Sequence, residues 1–327
     1  MKLGILGTGM IVRDFLPQAH LIPGLELYAL CSTPRSQPVM EQLAAQYRIP
    51  RRFTAWQELL TCGVDAVYVA VPNAMHYEMC RWALEQGCHV IVEKPMVTNV
   101  QQAEALWRIA DRQGLLLMEA ITTRYLSNYR AVRQELPGLG QLRLIRMDFS
   151  QYSSRYDAFR AGQILPAFDP RQAGGALMDL NIYNLHFVTG LLGAPLAYRY
   201  YPNLVRGIDV SGVMVLQYPG CVATLTAAKD SHAPNQSVLQ GDAGYLVLET
   251  PANACGSFTV YPNGGPPRHV NVNPFSHRMV EEFAAFTCMI EDRDMAACQE
   301  ARSQSLLVSR IQTAARQDAG LLFPGED

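Results

Sequence analysis

The chain has 327 residues, 49% hydrophobic and 17% charged, with a formal net charge of −2. No basic block or acidic tail is present, so the balance favours neither nucleic acid nor an anionic membrane as a partner. The length predicts two domains with real cores. No apolar stretch is long enough for a signal peptide or a spanning helix, which leads us to expect a cytoplasmic protein.

Lys2 to Leu6 reads as a short buried strand running into Gly7-Thr8-Gly9-Met10-Ile11. Gly7 permits a tight turn, Gly9 lets backbone approach a diphosphate, and the following helix offers N-terminal amides. The third position of this fingerprint is Val12, where Gly or Ala is usual. Glu26 to Cys31 reads as a second strand and Val39 to Tyr47 as a helix. Asp65 to Val71 is a nearly continuous apolar strand of the kind covered on both faces. Asn73 caps a helix running to Gln86. Strand His89 to Val92, helix Val100 to Arg112 and strand Leu115 to Met118 follow. This alternation implies a doubly wound parallel sheet.

After about Thr122 the strands become longer, with mixed faces: Leu142 to Phe149, Ser211 to Tyr218, Cys221 to Ala228 and Tyr245 to Leu248. Turns such as Tyr218-Pro219-Gly220 separate several of them, predicting a mainly antiparallel sheet with a few helices. The fold class expected is α/β. The boundary expected is a short crossover near residue 121: residues 1–121 carry the dinucleotide-binding sheet and residues 122–327 the second α/β domain. The eight Cys are scattered without a CxxC pair and the seven His do not cluster with them. Reduced, mostly buried thiols and no metal site are expected.

Three features carry chemistry. The glycine turn is the first. Glu93-Lys94-Pro95 is the second. Ligands of open parallel sheets bind beyond the carboxyl ends of the strands, so Lys94 is delivered to the crevice, on a turn that suits a cis Lys94–Pro95 bond. The third is Gly174 to His186. As a helix it sets Asp179, Tyr183 and His186 at i, i+4 and i+7 on one face. His186 reads as a core or interface histidine. Asp179 and Tyr183, taken with Lys94, read as functional.

These segments resemble the Gfo/Idh/MocA family of nicotinamide-dependent oxidoreductases. The matching stretches are Gly4 to Val12, Val69 to Asn73 with His76, Val90 to Pro95, Met118-Glu119-Ala120 with Arg124, and Gly174 to Tyr183. The resemblance implies a Rossmann domain over residues 1–121, followed over residues 122–327 by an open-faced, mainly antiparallel sheet for substrate binding and oligomerisation. It also implies hydride transfer between NAD(P) and a sugar, polyol or cyclic diol, and a homodimer or higher homo-oligomer formed through the open face. Many members place His four residues after the Asp. Tyr183 in that position is similar to the dimeric dihydrodiol dehydrogenase and glucose–fructose oxidoreductase branches, where Tyr is the proposed acid/base. Asn181 replaces a usual Gly.

Hydride transfer to a carbonyl leaves an alkoxide, which needs a proton donor. A free Tyr is a poor base at neutral pH, and a nearby ammonium favours its phenolate. The catalytic residues expected are therefore Lys94 and Tyr183 as one unit, with Asp179 holding Lys94 or a substrate hydroxyl. Arg124 joins Lys94, Asp179 and Tyr183 in the substrate set. The cofactor set is Gly7, Thr8, Gly9, Met10, Ile11, Ser32, Arg35, Pro72, Asn73, His76 and Glu93. His76 faces the crevice as a ligand contact, or merely starts a helix. No carboxylate ends the second strand, and Arg35 is placed to meet a 2′-phosphate, so NADP is favoured and NAD remains possible. The alternative is a non-catalytic NAD(P)-binding sensor, which would have no need of Lys94, Asp179 and Tyr183. A methyltransferase fits the second half poorly.

Overall fold

The computed structural model describes residues 1–324 and 326. They divide into two compact units: Met1–Ala120 with Met279–Leu306, and Ile121–Arg278 with the residues from Leu307.

Among the described residues, the first unit contains a six-stranded sheet: β1 (Lys2–Leu6), β2 (Glu26–Cys31), β3 (Arg51–Phe53), β4 (Ala66–Val69), β5 (His89–Glu93) and β6 (Leu117–Ala120). The strand order is β3-β2-β1-β4-β5-β6, and every neighbouring pair is parallel. The chain winds outward from β1 in one direction and resumes at β4 in the other, so a topological switch point lies between β1 and β4. The central strands are mostly apolar because helices cover both faces; all four residues of β4 are fully enclosed. β3 has no apolar run to announce it: Arg51 and Arg52 are exposed on an edge strand. The helix Val100–Gln113 is bounded as its ends predict. The Asn99 side chain accepts from the Gln102 amide, and Gly114 closes the helix in the left-handed region.

The segment Met279–Leu306 belongs to this first unit, whereas the sequence boundary assigns it to residues 122–327. Helix Met279–Glu291 buries Phe283, which stacks on Phe15 at 4.1 Å between ring centres and meets Tyr68 edge-on at 5.0 Å. Further on, Cys298 Sγ donates to the Leu117 carbonyl, and Arg302 pairs with Asp111 at 2.7 Å. Periodicity shows which face of such a helix is buried, not which sheet it is buried against.

The second unit holds, among the described residues, an eight-stranded sheet: β7 (Leu142–Ser150), β8 (Ala197–Val205), β9 (Ile208–Tyr218), β10 (Cys221–Ala228), β11 (Ser237–Gly241), β12 (Gly244–Leu248), β13 (Phe258–Pro262) and β14 (Arg268–Val270). The order is β14-β13-β12-β11-β7-β10-β9-β8. Only the central β7–β10 pair is parallel. One face buries Ile145, Met147, Met214, Leu216 and Leu225 with Tyr129, Leu185 and Phe187 from helices. The opposite face leaves Leu144, Tyr201, Val222 and Tyr245 exposed.

Among the described residues, no helix is long and apolar enough to cross a membrane, and no group of three His, Cys, Asp or Glu is arranged to hold a metal. All eight cysteines are free, and six are buried. Burial pushes the Cys31 and Cys88 thiols up to about 11.

Phe283→Ala should remove the ring that closes the aromatic cluster over Phe15 and Tyr68, and large-to-small changes of this kind cost about 3–5 kcal/mol. Denaturant titration is the check. An unchanged midpoint would detach the Met279–Glu291 helix from the core of the first unit.

Candidate active site

The carboxyl ends of the parallel strands gather the first unit's candidate residues. After β1, Gly7 has φ +120, and a Cβ there would lie 2.3 Å from the Ala70 carbonyl, so only glycine fits. Its amide donates to the Cys31 carbonyl and ties the turn to β2. Gly9 caps the helix Met10–Phe15, and a Cβ there would meet no protein atom within 4 Å. That open space beside the first helical amides is the cradle a dinucleotide diphosphate requires, so these residues fit the cofactor. Thr8 and Ile11 are half-buried and Met10 is exposed. Val12, the departure from the fingerprint, is fully buried. After β2, Ser32 is buried, while Arg35 lies exposed on the short turn Pro34–Ser36.

After β4, Pro72 is exposed and Asn73 half-buried. His76 is fully enclosed. Its Nδ1 lies 2.9 Å from the Pro95 carbonyl and its Nε2 2.8 Å from the Val71 carbonyl. Burial holds its pKa below the usual histidine value, against the two carbonyls, which favour a proton on each nitrogen. In this structure the ring fastens the ends of β4 and β5 to each other, with both nitrogens committed to backbone.

After β5, the Lys94–Pro95 peptide is cis. Two buried carboxylates fasten this turn. Glu93 accepts from the Tyr68 hydroxyl at 2.5 Å and from the Lys94 amide. Glu119, on β6, accepts from the Met96 amide at 3.0 Å and from Ser305 at 2.6 Å. Lys94 itself is half-buried between these anchors.

In the second unit, the predicted helix does not run evenly through Gly174 to His186. Leu177–Asn181 forms a π turn, and the α-helix begins at Ile182 and ends at Leu192. The wider π turn changes the angular spacing before Tyr183 from that of an even α-helix. Asp179 is 34% exposed, Tyr183 is buried to 7%, and His186 is enclosed at 1%. Tyr183 packs against Phe149, with ring centres 5.9 Å apart. Arg124 is half-buried on the short helix Thr122–Tyr125.

Asp209 fixes the start of this turn. Its Oδ2 accepts from the Leu177 amide and from the Tyr200 hydroxyl, each at 2.7 Å. A Cβ on Gly175, whose φ is +105, would stand 1.9 Å from Oδ1. Burial pushes the Asp209 carboxyl up to about 6 despite these donors. Asn181, in place of the usual Gly, is buried; its side-chain amide donates to the Leu225 carbonyl, and its oxygen accepts from Asn184. The residue thus bonds the turn to β10.

Sequence reasoning missed one functional-type group. Lys229, directly after β10, is buried, and its Nζ donates to Asp179 Oδ2 at 2.8 Å and to the Ala167 carbonyl at 2.7 Å. Within the second unit, Asp179 is therefore paired with a lysine that the sequence argument never considered. A signal was available: of 27 basic residues only Lys2, Lys94 and Lys229 are lysines.

The profile described as the oxidoreductase family with an NAD-binding Rossmann fold matches residues 1–121, and that of the GFO/IDH/MocA C-terminal domain matches residues 132–247. The chain is 30% identical over 328 residues to scyllo-inositol 2-dehydrogenase (NADP(+)) of Bacillus subtilis, covering 100% of this chain and 99% of the relative. It is 30% identical to trans-1,2-dihydrobenzene-1,2-diol dehydrogenase of Mus musculus over 76% of this chain and 74% of that one. Among solved structures, a 3-ketoreductase from Actinomadura kijaniata in complex with NADP and TDP-benzene shares the fold with a TM-score of 0.82, 24% identity and 97% of each chain covered.

The Asp209 carboxyl is raised from 3.8 to about 6 in the folded chain, so its contribution to stability is present below about pH 4 and is lost as pH rises through about 6. Asp209→Asn removes this titration. The stability difference, variant minus wild type, should therefore shift in the variant's favour across that window in thermal melts. A difference that is flat with pH would show an Asp209 of ordinary acidity.

Proposed function

The chain belongs to the GFO/IDH/MocA oxidoreductase family, and we propose that it interconverts a ring polyol, sugar or cyclic diol with the matching carbonyl, with preference for NADP(H). It is an NAD(P)-dependent dehydrogenase acting on CH–OH groups. The observation that carries the finer reading is the Lys94 turn, fastened by Glu93 and Glu119, in a chain that also presents Asp179 and Tyr183 on one turn and helix of its second unit. Two relatives support the substrate class, since their names specify a cyclic polyol and a cyclic diol.

When bound, the nicotinamide accepts or delivers the hydride. Gly7, Thr8, Gly9, Met10 and Ile11 would hold the diphosphate, and Pro72, Asn73 and Glu93 would complete the cofactor-binding set. Ser32 and Arg35 would meet the adenosine ribose, with the guanidinium pairing a 2′-phosphate. His76 supports this wall through its two carbonyl contacts. Tyr183 carries the proton at its hydroxyl: it donates to the alkoxide formed in reduction and accepts from the alcohol in oxidation. Lys94 favours the phenolate by its charge. Asp179 accepts a hydrogen bond from a neighbouring substrate hydroxyl, and Arg124 borders the substrate. In the same reading the chain works in the cytoplasm as a homodimer. The open sheet face with Leu144, Tyr201, Val222 and Tyr245 supplies the contact.

Arg35→Ala should weaken NADPH binding and leave NADH binding nearly unchanged in fluorescence titrations; equal loss for both would remove Arg35 from the preference. Catalysis is tested with scyllo-inositol, myo-inositol, glucose and a cyclic trans-diol, following NADPH absorbance. Wild type should oxidise at least one of them. Tyr183→Phe should lower kcat by about 10²–10⁴-fold with little change in cofactor affinity. Adding Lys94→Ala should cost far less than the product of the single losses, because the two residues share one task. Near-native turnover by Tyr183→Phe would move the proton to another group.

A further inference from the structure

Lys229, the buried partner of Asp179, is the strongest feature outside the residues assigned above. Lys229 is almost fully enclosed, with 3% of its side chain exposed, whereas Asp179 keeps 34%. Its backbone is fixed on both sides: the amide donates to the Val210 carbonyl, and the carbonyl accepts from the Ser153 amide. Two of the three ammonium donors go to Asp179 Oδ2 and the Ala167 carbonyl, and the ammonium also lies 4.7 Å from the centre of the Phe168 ring. Desolvating an ammonium this fully is costly unless its partners are well placed. The cost falls at the one carboxylate of the π turn, and π turns are frequent at functional sites.

We propose that Lys229 is a positioning residue for the reaction, acting through Asp179. This rests on the reading of Asp179 as the group that accepts a substrate hydroxyl. Lys229 enters from the buried side and holds Oδ2, which fixes the rotation of the carboxylate and presents its exposed side to the substrate. Its contacts with Asp179, Ala167 and Phe168 keep it from serving as the proton donor, so it is not a catalytic residue. The bond to Ala167 also ties the loop before Gly174 to the same ammonium. Loop, π turn and carboxylate are therefore set by one cation. A compact ammonium suits this place, because a planar guanidinium could not direct its donors to Ala167 and Asp179 in the same way. The chain uses Arg almost everywhere else, so the choice of Lys here matches the geometry.

The test compares Lys229→Met, Asp179→Asn and the double variant, using the best-oxidised polyol of the panel with NADP+. Lys229→Met keeps the length of the side chain and removes the charge. It should lower kcat/KM for the polyol by about 10²-fold, the order expected for a misplacement of about 1 Å, and leave the NADPH dissociation constant unchanged. In the double variant the loss should be no greater than in Asp179→Asn alone, whereas a purely structural role would add its loss to that of Asp179→Asn. The double variant carries no unpaired charge, so this comparison survives if Lys229→Met folds poorly. Crystals of Lys229→Met should show the Asp179 carboxylate rotated. An unmoved carboxylate, additive losses, or wild-type kcat/KM in folded Lys229→Met would each overturn the proposal. Wild-type kcat/KM in Asp179→Asn would instead remove Asp179 from the site, and the proposal with it.

Discussion

A carboxylate taken out of water must be met by donors, and in the second unit that demand falls on Asp209. Its oxygens leave no space for a Cβ at Gly175 and take the Leu177 amide and the Tyr200 hydroxyl. Position 175 therefore takes only glycine, and the π turn begins where Asp209 holds the Leu177 amide. Asp179 falls within this turn and Tyr183 on the helix that follows. Asn181 then ties the turn to β10, and Lys229, one residue beyond β10, reaches Asp179. The Asp179 carboxylate is thus located by a turn that a second carboxylate, Asp209, holds at its start.

The first unit uses the same device. Glu93 and Glu119 are both buried, and both accept from backbone amides that flank Pro95. Charge-assisted bonds of this kind are shorter and stronger than neutral ones, and they limit the ways a turn can shift. His76 adds a third contact to the same stretch through the Pro95 carbonyl. Lys94 therefore stands on a turn held by two buried carboxylates and a buried imidazole.

Much of this was legible in the residues. Apolar runs identified β1, β2, β4, β5 and β6, because strands covered on both faces have no polar alternation to confuse the pattern. The glycine turn was legible because Gly7 lies in the left-handed region, with no room for a side chain. Three things were not. The helix with Phe283 lies far along the chain, and its apolar stripe does not name its partner sheet. The π turn adds a residue to one helical turn, a change that a 3.6-residue period cannot register. Lys229 and Asp179 are separated by 50 residues, and only the register of β10 against its neighbours brings them together. The scarcity of lysine was the one compositional trace they left.

The first unit is discontinuous: its sheet is complete by Ala120, but the helix that covers Phe15 and Tyr68 begins only at Met279. During synthesis the ribosome therefore delivers Ile121–Arg278 of the second unit before the first can close. Until then, the nascent sheet presents an uncovered aromatic patch on one face. A fragment ending at the sequence boundary would carry that patch permanently, and exposed apolar surface of this kind promotes aggregation. The first unit is thus not a module encoded by one continuous stretch of the gene. Any division or fusion of this protein has to carry both ends of the chain together.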